Sequence, residues 1–420
     1  MSAAAVTLVI LGAAAVLFVT ELIPIAVTAL CVDVALILTG VLTVSEAFAG
    51  FSNETVILFA GTFVIGGAIL EAGIAQAAGQ WVLRWARGRP RMLIVCVMLA
   101  AAVFSSVLSN TGTTAVLLPI ILGMAVSMRL APSKLLMPLA YGASLGGIAT
   151  LIGTPPNLII HAALVDAGGA GFGFFEFLKV GLPLLLAGTA YVALVGHRHL
   201  PIREADCTTL NNGEEAGGSR RSRWIAGGVL LTVIVFLAGG WFPLSVVAVG
   251  GALLLVITGC LSYQKAVASI DWTTIFLFAG MLPLSTAMDK TGAGEAVVGV
   301  ALRALGEAPS PFLVVAAVFL TTWLLTQFMS NTASTALLAP IGLSLSSSIG
   351  VDPKGVLVAI AVAASCALAT PVGTPPNTLV LGPGGYTFRD YLRVGLPVSA
   401  LAFVLSVFLL PLLWPFSAAG

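Results

Sequence analysis

The chain has 420 residues, of which 59% are hydrophobic and 8% charged, and its net charge is +1. A soluble domain carries about 25% charged residues, so a soluble fold is excluded, and the near-neutral balance gives no electrostatic footprint for nucleic acid. What remains is an all-α polytopic membrane protein. Apolar runs of about 20 residues recur, enough to cross roughly 30 Å of hydrocarbon, and membrane bundles tolerate frequent Pro and Gly.

Full spans are predicted near 4–20, 22–42 and 55–73. The first has no basic start and no small-residue cleavage site, so it reads as a retained helix and not as a signal peptide. Asp33 lies inside the second, and a carboxyl at membrane depth is a functional suspect. Residues 92–128 begin and end among basic residues, so the chain returns to the side it left. Their apolar arms, 92–108 and 113–128, flank the polar stretch SNTGTT. Two full spans would put that stretch in a surface turn. A re-entrant hairpin would put it at mid-membrane, and the shortness of the arms favours the hairpin. A span at 137–163 contains GTPPN at 153–157. Two prolines remove two backbone donors and push the preceding residue out of helical geometry, so this span is expected to break into two half-helices. Half-helix N-termini are expected to aim N–H groups and a positive dipole end at a site. A span at 180–197 follows, and then the only long polar stretch, 201–223, read as a solvated linker.

The second half repeats the first. SNTGTTAVLLPI at 109–120 returns as SNTASTALLAPI at 330–341, and GTPPN returns at 373–377. Pro24, Thr39-Gly40 and LFAG at 58–61 match Pro243, Thr258-Gly259 and LFAG at 277–280, and VGLP at 180–183 matches 394–397. Collinear landmarks mean a duplicated unit. The domains are therefore 1–200 (first repeat), 201–223 (linker) and 224–420 (second repeat). Each repeat has about five transmembrane helices, a re-entrant hairpin and a broken helix. Five full spans is an odd number, so the second repeat starts from the opposite face and the two are inverted.

Basic residues set the orientation. Arg84, Arg87, Arg89, Arg91, Arg129, Lys134, Arg198, Arg203, Arg220, Arg221, Arg223, Lys265, Arg389 and Arg393 fall on the linker side. The other side holds Lys179, Lys290, Arg303 and Lys354. Basic loops stay inside, so the linker is expected in the cytoplasm, with both termini across the cell (inner) membrane. Trp81, Trp85, Trp224 and Trp241 suit an interfacial belt.

Asn110 and Asn331 offer NH₂ donors to a carboxylate and a carbonyl acceptor to a cation, and the Ser and Thr hydroxyls serve either. No Lys or Arg lies in 92–128, 137–163, 313–350 or 356–381. A bound anion would be held by dipoles and hydroxyls, with co-bound cations supplying the missing charge. The five cysteines are scattered and read as packing residues. Glu71 and Asp289 read as interfacial, and His161, His197 and His199 as membrane-edge residues. No arrangement of Cys, His, Asp or Glu near the motifs supports an enzyme.

Paired SNT motifs, each followed by GTPPN in a broken span, resemble the divalent anion/sodium symporter family within the ion transporter superfamily. The resemblance covers nearly the whole chain. It implies an elevator-type transporter that carries di- or tricarboxylates or sulfate, a homodimer in membrane lipid, with co-transported Na⁺ and no organic cofactor. It also implies one sodium site lined by Ser105, Ser109, Asn110 and Gly153, and a second lined by Thr326, Ser330, Asn331 and Gly373. The substrate would be met by Asn110, Thr111, Thr154, Pro155, Asn331, Thr332, Thr374 and Pro375. Thr326 stands where the first repeat has Ser105, a mild change for sodium chemistry. The resulting expectation is sodium-coupled symport of a succinate-like dicarboxylate. The alternatives are a sulfate or other oxyanion symporter, a sodium-independent carboxylate exchanger, and a cation/proton antiporter using Asp33.

Overall fold

The computed structural model describes residues 2–20, 22–74, 90–128, 130–203, 220–305, 309–371 and 373–415. Trp81, Trp85, Arg84, Arg87, Arg89, Arg129, Cys207 and positions 204–219 of the linker lie outside the described residues, as does the side chain of Arg303.

The first repeat contains α1 (Ala3–Thr20), α2 (Ile25–Leu38), α3 (Glu54–Glu71), α4 (Pro90–Ser105), α5 (Asn110–Ser127), α6 (Leu136–Gly147), α7 (Pro155–Asp166) and α8 (Leu178–Tyr191). A wider π-type turn carries α8 on to His199. The second repeat contains α9 (Arg220–Gly239), α10 (Leu244–Ile257), α11 (Trp272–Thr291), α12 (Ala293–Leu305), α13 (Pro311–Leu325), α14 (Asn331–Ser348), α15 (Lys354–Ser365), α16 (Pro375–Leu381) and α17 (Phe388–Leu413). Among the described residues, five helices are long and apolar enough to cross a membrane: α1, α3, α8 with its extension, α9 and α17.

Local chemistry sets the ends. The span expected at 22–42 is shorter, Ile25–Leu38, because Pro24 fixes its start and Gly40 turns left-handed (φ +73°) just past its end. Pro243 and Gly259 (φ +74°) bound α10 in the same way. A left-handed residue after the last helical turn is the usual role of glycine there. Helix α12 has no counterpart in the sequence reading, since it is too short and too charged to read as a span.

Each third helix packs on the other repeat's second helix: α3 on α10, and α11 on α2. The equivalent helices α3 and α11 run in opposite directions. Glu71, at the end of α3, pairs with Lys265, which precedes α11; Lys290, near the end of α11, pairs with Glu46, which precedes α3. Lys290 and the Thr43 cap hold the Glu46 carboxyl down at about 2. Charged groups near the linker gather on one face, where Lys134 Nζ donates to the His197 (3.0 Å) and Leu200 (2.6 Å) carbonyls and Arg203 pairs with Asp390 at 3.2 Å. Elsewhere, Asn53 Nδ2 donates to Asp166 at 3.0 Å and Lys354 approaches Glu176 at 3.8 Å.

The remaining helices interlock. The first arm of each hairpin packs on the first half of its own broken helix: α4 on α6, and α13 on α15. The second arm crosses to the other repeat: α5 on α16, and α14 on α7. This exchange draws both hairpin tips and both helix breaks into one bundle.

Candidate functional site at the hairpin tips and helix breaks

The chain turns at 106–109 between α4 and α5, and Ser109 becomes the N-cap of α5. Its Oγ accepts from the Gly112 N–H at 3.1 Å. Ser330 caps α14 identically, accepting from the Ala333 N–H at 3.1 Å. Side-chain caps satisfy N–H groups that the first helical turn leaves open. In both helices the next two N–H groups, of Asn110 and Thr111 and of Asn331 and Thr332, make no hydrogen bond among the described residues. Each tip therefore presents unspent N–H donors at the positive end of a helix, which is anion-binding chemistry.

The breaks follow from GTPPN. Helix α6 stops at Gly147 and α7 resumes at Pro155. Helix α15 stops at Ser365 and α16 resumes at Pro375. Thr154 and Thr374 have nearly identical extended backbones, φ −142° and −141°. This corrects one expectation. The N-termini of α7 and α16 do not aim N–H groups at a site: their first two positions are prolines, and the third N–H, of Asn157 or Asn377, returns to the Thr154 (3.2 Å) or Thr374 (3.0 Å) carbonyl. Those ends keep the dipole but lack the donors. The donors belong to the hairpin helices.

One end of the buried Asn110 carboxamide lies 2.6 Å from Ser105 Oγ and 3.2 Å from the carbonyl oxygens of Ala143 and Gly153. With its nitrogen turned there, the amide donates into the cluster and satisfies it. With its oxygen turned there, four oxygens converge and only a cation satisfies them. A Cβ on Gly147 would collide with Asn110, and one on Gly153 with the Gly147 backbone, so the cluster needs glycine at both places. In the second repeat Asn331 Oδ1 accepts from Thr326 Oγ1 at 3.0 Å, and Thr326 Oγ1 stands 3.5 Å from the Ala364 carbonyl. In the register set by GTPPN, Ala364 lies one residue past Ala363, the match of Ala143. Gly373 holds the matching bend, its N–H donating to Thr370 Oγ1 at 2.9 Å.

The structure thus joins Ser105, Asn110 and Gly153 in one cluster and Thr326 with Asn331 in another. Ser109 and Ser330 act as caps, and each Oγ keeps a second lone pair. Thr154 and Thr374 are buried; Thr332 and Pro155 are half-buried; Thr111 and Pro375 are exposed. Among the described residues no three of His, Cys, Asp and Glu gather where they could hold a metal. The oxygens at the breaks come from hydroxyls, amides and backbone.

Sequence reading missed two kinds of residue. The carbonyls of Ala143 and Ala364 carry no side-chain signal. The last residue of each GTPPN was in view without a role: Asn157 Nδ2 donates to the Thr150 (2.8 Å) and Ile148 (3.3 Å) carbonyls, and Asn377 Nδ2 donates to the Thr370 carbonyl at 2.9 Å. Each ties the unwound segment to the helix that follows. Elsewhere, His161 Nδ1 accepts from the Phe172 N–H at 2.9 Å, a loop-bracing role. Asp33 is fully buried and faces Gly280 of α11 and not the tips, and among the described residues neither of its carboxyl oxygens is hydrogen-bonded. Cys31, Cys96, Cys260 and Cys366 are free.

A family described as citrate transporters (CitMHS) matches residues 15–363 and 311–419. An uncharacterized transporter of Methanocaldococcus jannaschii is 30% identical, covering 94% of this chain and 90% of its own. The uncharacterized transporter YfbS of Escherichia coli is 25% identical over 97% and 98%. The sodium-dependent dicarboxylate transporter SdcS of Staphylococcus saprophyticus is 27% identical over 95% and 84%. Among solved structures, the Alcanivorax borkumensis YdaH transporter, reported as having an unusual topology, superposes with a TM-score of 0.65 at 16% identity over 88% of each chain. The Neisseria gonorrhoeae MtrF antimetabolite efflux pump does so with 0.59 at 17% identity over 90% and 83%.

Proposed function

The chain belongs to the citrate transporter family, as a multi-pass membrane secondary transporter and not an enzyme, and from that premise we propose that it couples inward movement of Na⁺ to uptake of a succinate-like dicarboxylate. The observation that carries the reading is the duplicated pairing of an oxygen-lined helix break with a capped hairpin tip whose N–H groups are unspent. Oxygens suit a hard cation; N–H groups at a positive helix end suit a carboxylate. A dianion with no Lys or Arg in these segments needs its charge offset, and bound Na⁺ offsets it. The sodium-dependent dicarboxylate transporter among the relatives supports both halves of this reading.

In this proposal the halves 1–200 and 224–420 are inverted repeats joined by a cytoplasmic linker. The antiparallel course of α3 and α11 supports that. The hairpins α4–α5 and α13–α14 are re-entrant, because the first tip reaches the break of a spanning helix and the second occupies the same place in its own repeat. They move with the broken helices as one body against the other helices of a homodimer. Ser105, Ser109, Asn110 and Gly153 hold one Na⁺, and Thr326, Ser330, Asn331 and Gly373 the other. The substrate carboxylates meet Asn110, Thr111, Thr154, Pro155 and their counterparts Asn331, Thr332, Thr374 and Pro375.

The test is [¹⁴C]succinate uptake into proteoliposomes with an inward Na⁺ gradient, and with K⁺ in its place. Uptake that needs Na⁺ is the expected result. Uptake indifferent to the swap means exchange without sodium. Sodium-driven uptake of [³⁵S]sulfate in preference to succinate means an oxyanion symporter.

A further inference from the structure

A groove of about 600 Å³ runs along the start of α9 and is separate from the hairpin tips. Arg220, Arg223, Trp224, Gly227, Gly228 and Leu231 line it, with Ile74 beyond the end of α3 as the opposing wall. Positions 220, 223/224, 227/228 and 231 recur every three to four residues and so form one face of the helix. That face is graded by chemistry. Two guanidinium groups stand at the polar end, a Trp follows, two glycines open the middle, and Leu231 closes the apolar end. From Arg220 to Leu231 the helix rises roughly 16 Å, a length over which an acyl chain lies alongside.

We propose that this groove binds an anionic phospholipid, with its phosphate on Arg220 and Arg223 and an acyl chain over Gly227 and Gly228. Charge complementarity selects the occupant. Among the described residues neither arginine pairs with a carboxylate, and guanidinium is the side chain best matched to phosphate oxygens. Trp224, 74% exposed, has the amphipathic ring that sits at headgroup level. Leu231, 65% exposed, meets hydrocarbon below it. A Cβ at Gly228 would meet nothing within 4 Å, and one at Gly227 would lie 3.9 Å from Ile74. The glycines therefore leave open space that no side chain among the described residues fills. A second copy facing this groove across a two-fold axis would bring its own arginines toward these, a like-charge approach that disfavours that occupant.

Native mass spectrometry of the delipidated full chain, titrated with phosphatidylglycerol or phosphatidylcholine, tests the assignment. Phosphatidylglycerol is expected to bind about ten-fold or more tightly, from two basic contacts. R220Q/R223Q is expected to erase that preference and R220K/R223K to keep most of it. Gly228→Leu, whose Cβ would meet nothing within 4 Å and whose side chain would occupy the groove, is expected to weaken both lipids. Equal binding of the two lipids, or a preference that survives R220Q/R223Q, overturns the proposal. Displacement of the lipid by millimolar glycerol 3-phosphate overturns it in favour of a soluble phosphate ligand. A shift from dimer to monomer in Gly228→Leu overturns it in favour of a protomer interface. Binding does not depend on transport, so its failure is separate from any failure of the carboxylate reading.

Discussion

Asn110 and Asn331 each sit where a carboxamide can satisfy its neighbours alone or with an ion. With its nitrogen turned inward and no ion present, the Asn110 amide faces Ser105 Oγ and the Ala143 and Gly153 carbonyls and has two hydrogens to share among them. In the proposed sodium site the oxygen would take its place. Removing the amide takes one oxygen from the proposed ion's shell, a charge–dipole contact comparable to a hydrogen bond to a charged group, about 1.5–3 kcal/mol. Asn110→Ala is therefore expected to raise the half-saturating Na⁺ concentration at least about ten-fold, read from a Na⁺ titration of uptake; an unchanged Na⁺ curve rejects the cluster as a cation site. Thr326 separates hydroxyl from shape. Thr326→Ser keeps the oxygen 3.0 Å from Asn331 and should leave the Na⁺ curve close to that of the parent. Thr326→Val keeps the volume, loses the oxygen, and should shift the curve as Asn331→Ala does. Equal behaviour of Ser and Val would rule out a ligand role for Thr326. Asn110 and Asn331 stand out in the sequence as polar residues in oily surroundings. The Ala143 and Ala364 carbonyls do not, because every residue has one.

Among the elements, the broken helices need more than their prolines. Pro155-Pro156 and Pro375-Pro376 stop the backbone ladder, but the unwound carbonyls must still find donors. Asn157 and Asn377 supply them from the first turn of the following half-helix. Asn157→Ala removes two such bonds, and leaving buried carbonyls unpaired costs about 1–3 kcal/mol each. Asn157→Asp is expected to be worse than Ala, since an ionised carboxylate would face the Ile148 and Thr150 carbonyls as a third acceptor. Thermal unfolding of the purified variants should rank parent, Ala, Asp in falling stability; an Asp variant as stable as the parent contradicts this account. The two breaks are not braced alike. Tyr141 donates to the Leu368 carbonyl at 3.1 Å and Ser399 to Cys366 at 2.8 Å, pinning the second break from α6 and α17. The first is tied by the Leu151 N–H to the Phe174 carbonyl at 3.0 Å and by Thr150 to the Ser106 carbonyl. The break itself was legible from GTPPN. Its bracing was not, because those partners lie as far as 227 residues apart.

For the whole molecule, the pairs Glu46–Lys290 and Glu71–Lys265 mark opposite ends of α3 and α11. The Glu46 carboxyl, held at about 2, stays ionised at neutral pH, so what this tie adds to stability is fully present above the usual carboxyl value of 4.5 and is lost as pH falls from there through about 2. In a background with the native cysteines replaced, Glu46→Cys is expected to react with a membrane-impermeant maleimide added to intact cells. Glu71→Cys should react only once the cells are opened. Labelling of both from one side would refute the inverted arrangement. Counting basic residues along the chain had already put Lys265 and Lys290 on opposite sides. It could not pair them, since a count of spans says which side a loop is on and nothing about its neighbours there.

The class, the duplication, the places where helices break and the polar residues at the tips can all be read along the chain. These follow from hydropathy, from backbone chemistry local to Pro and Gly, and from identity between two stretches of one chain. Packing decided that the hairpin arms cross between repeats and that Asn110 meets backbone carbonyls of α6 and its break. It also decided that the half-helix N-termini at the prolines offer no N–H while the hairpin helices do. Those outcomes depend on which backbone groups remain unpaired after packing, and that is a property of contacts between distant segments and not of any one of them.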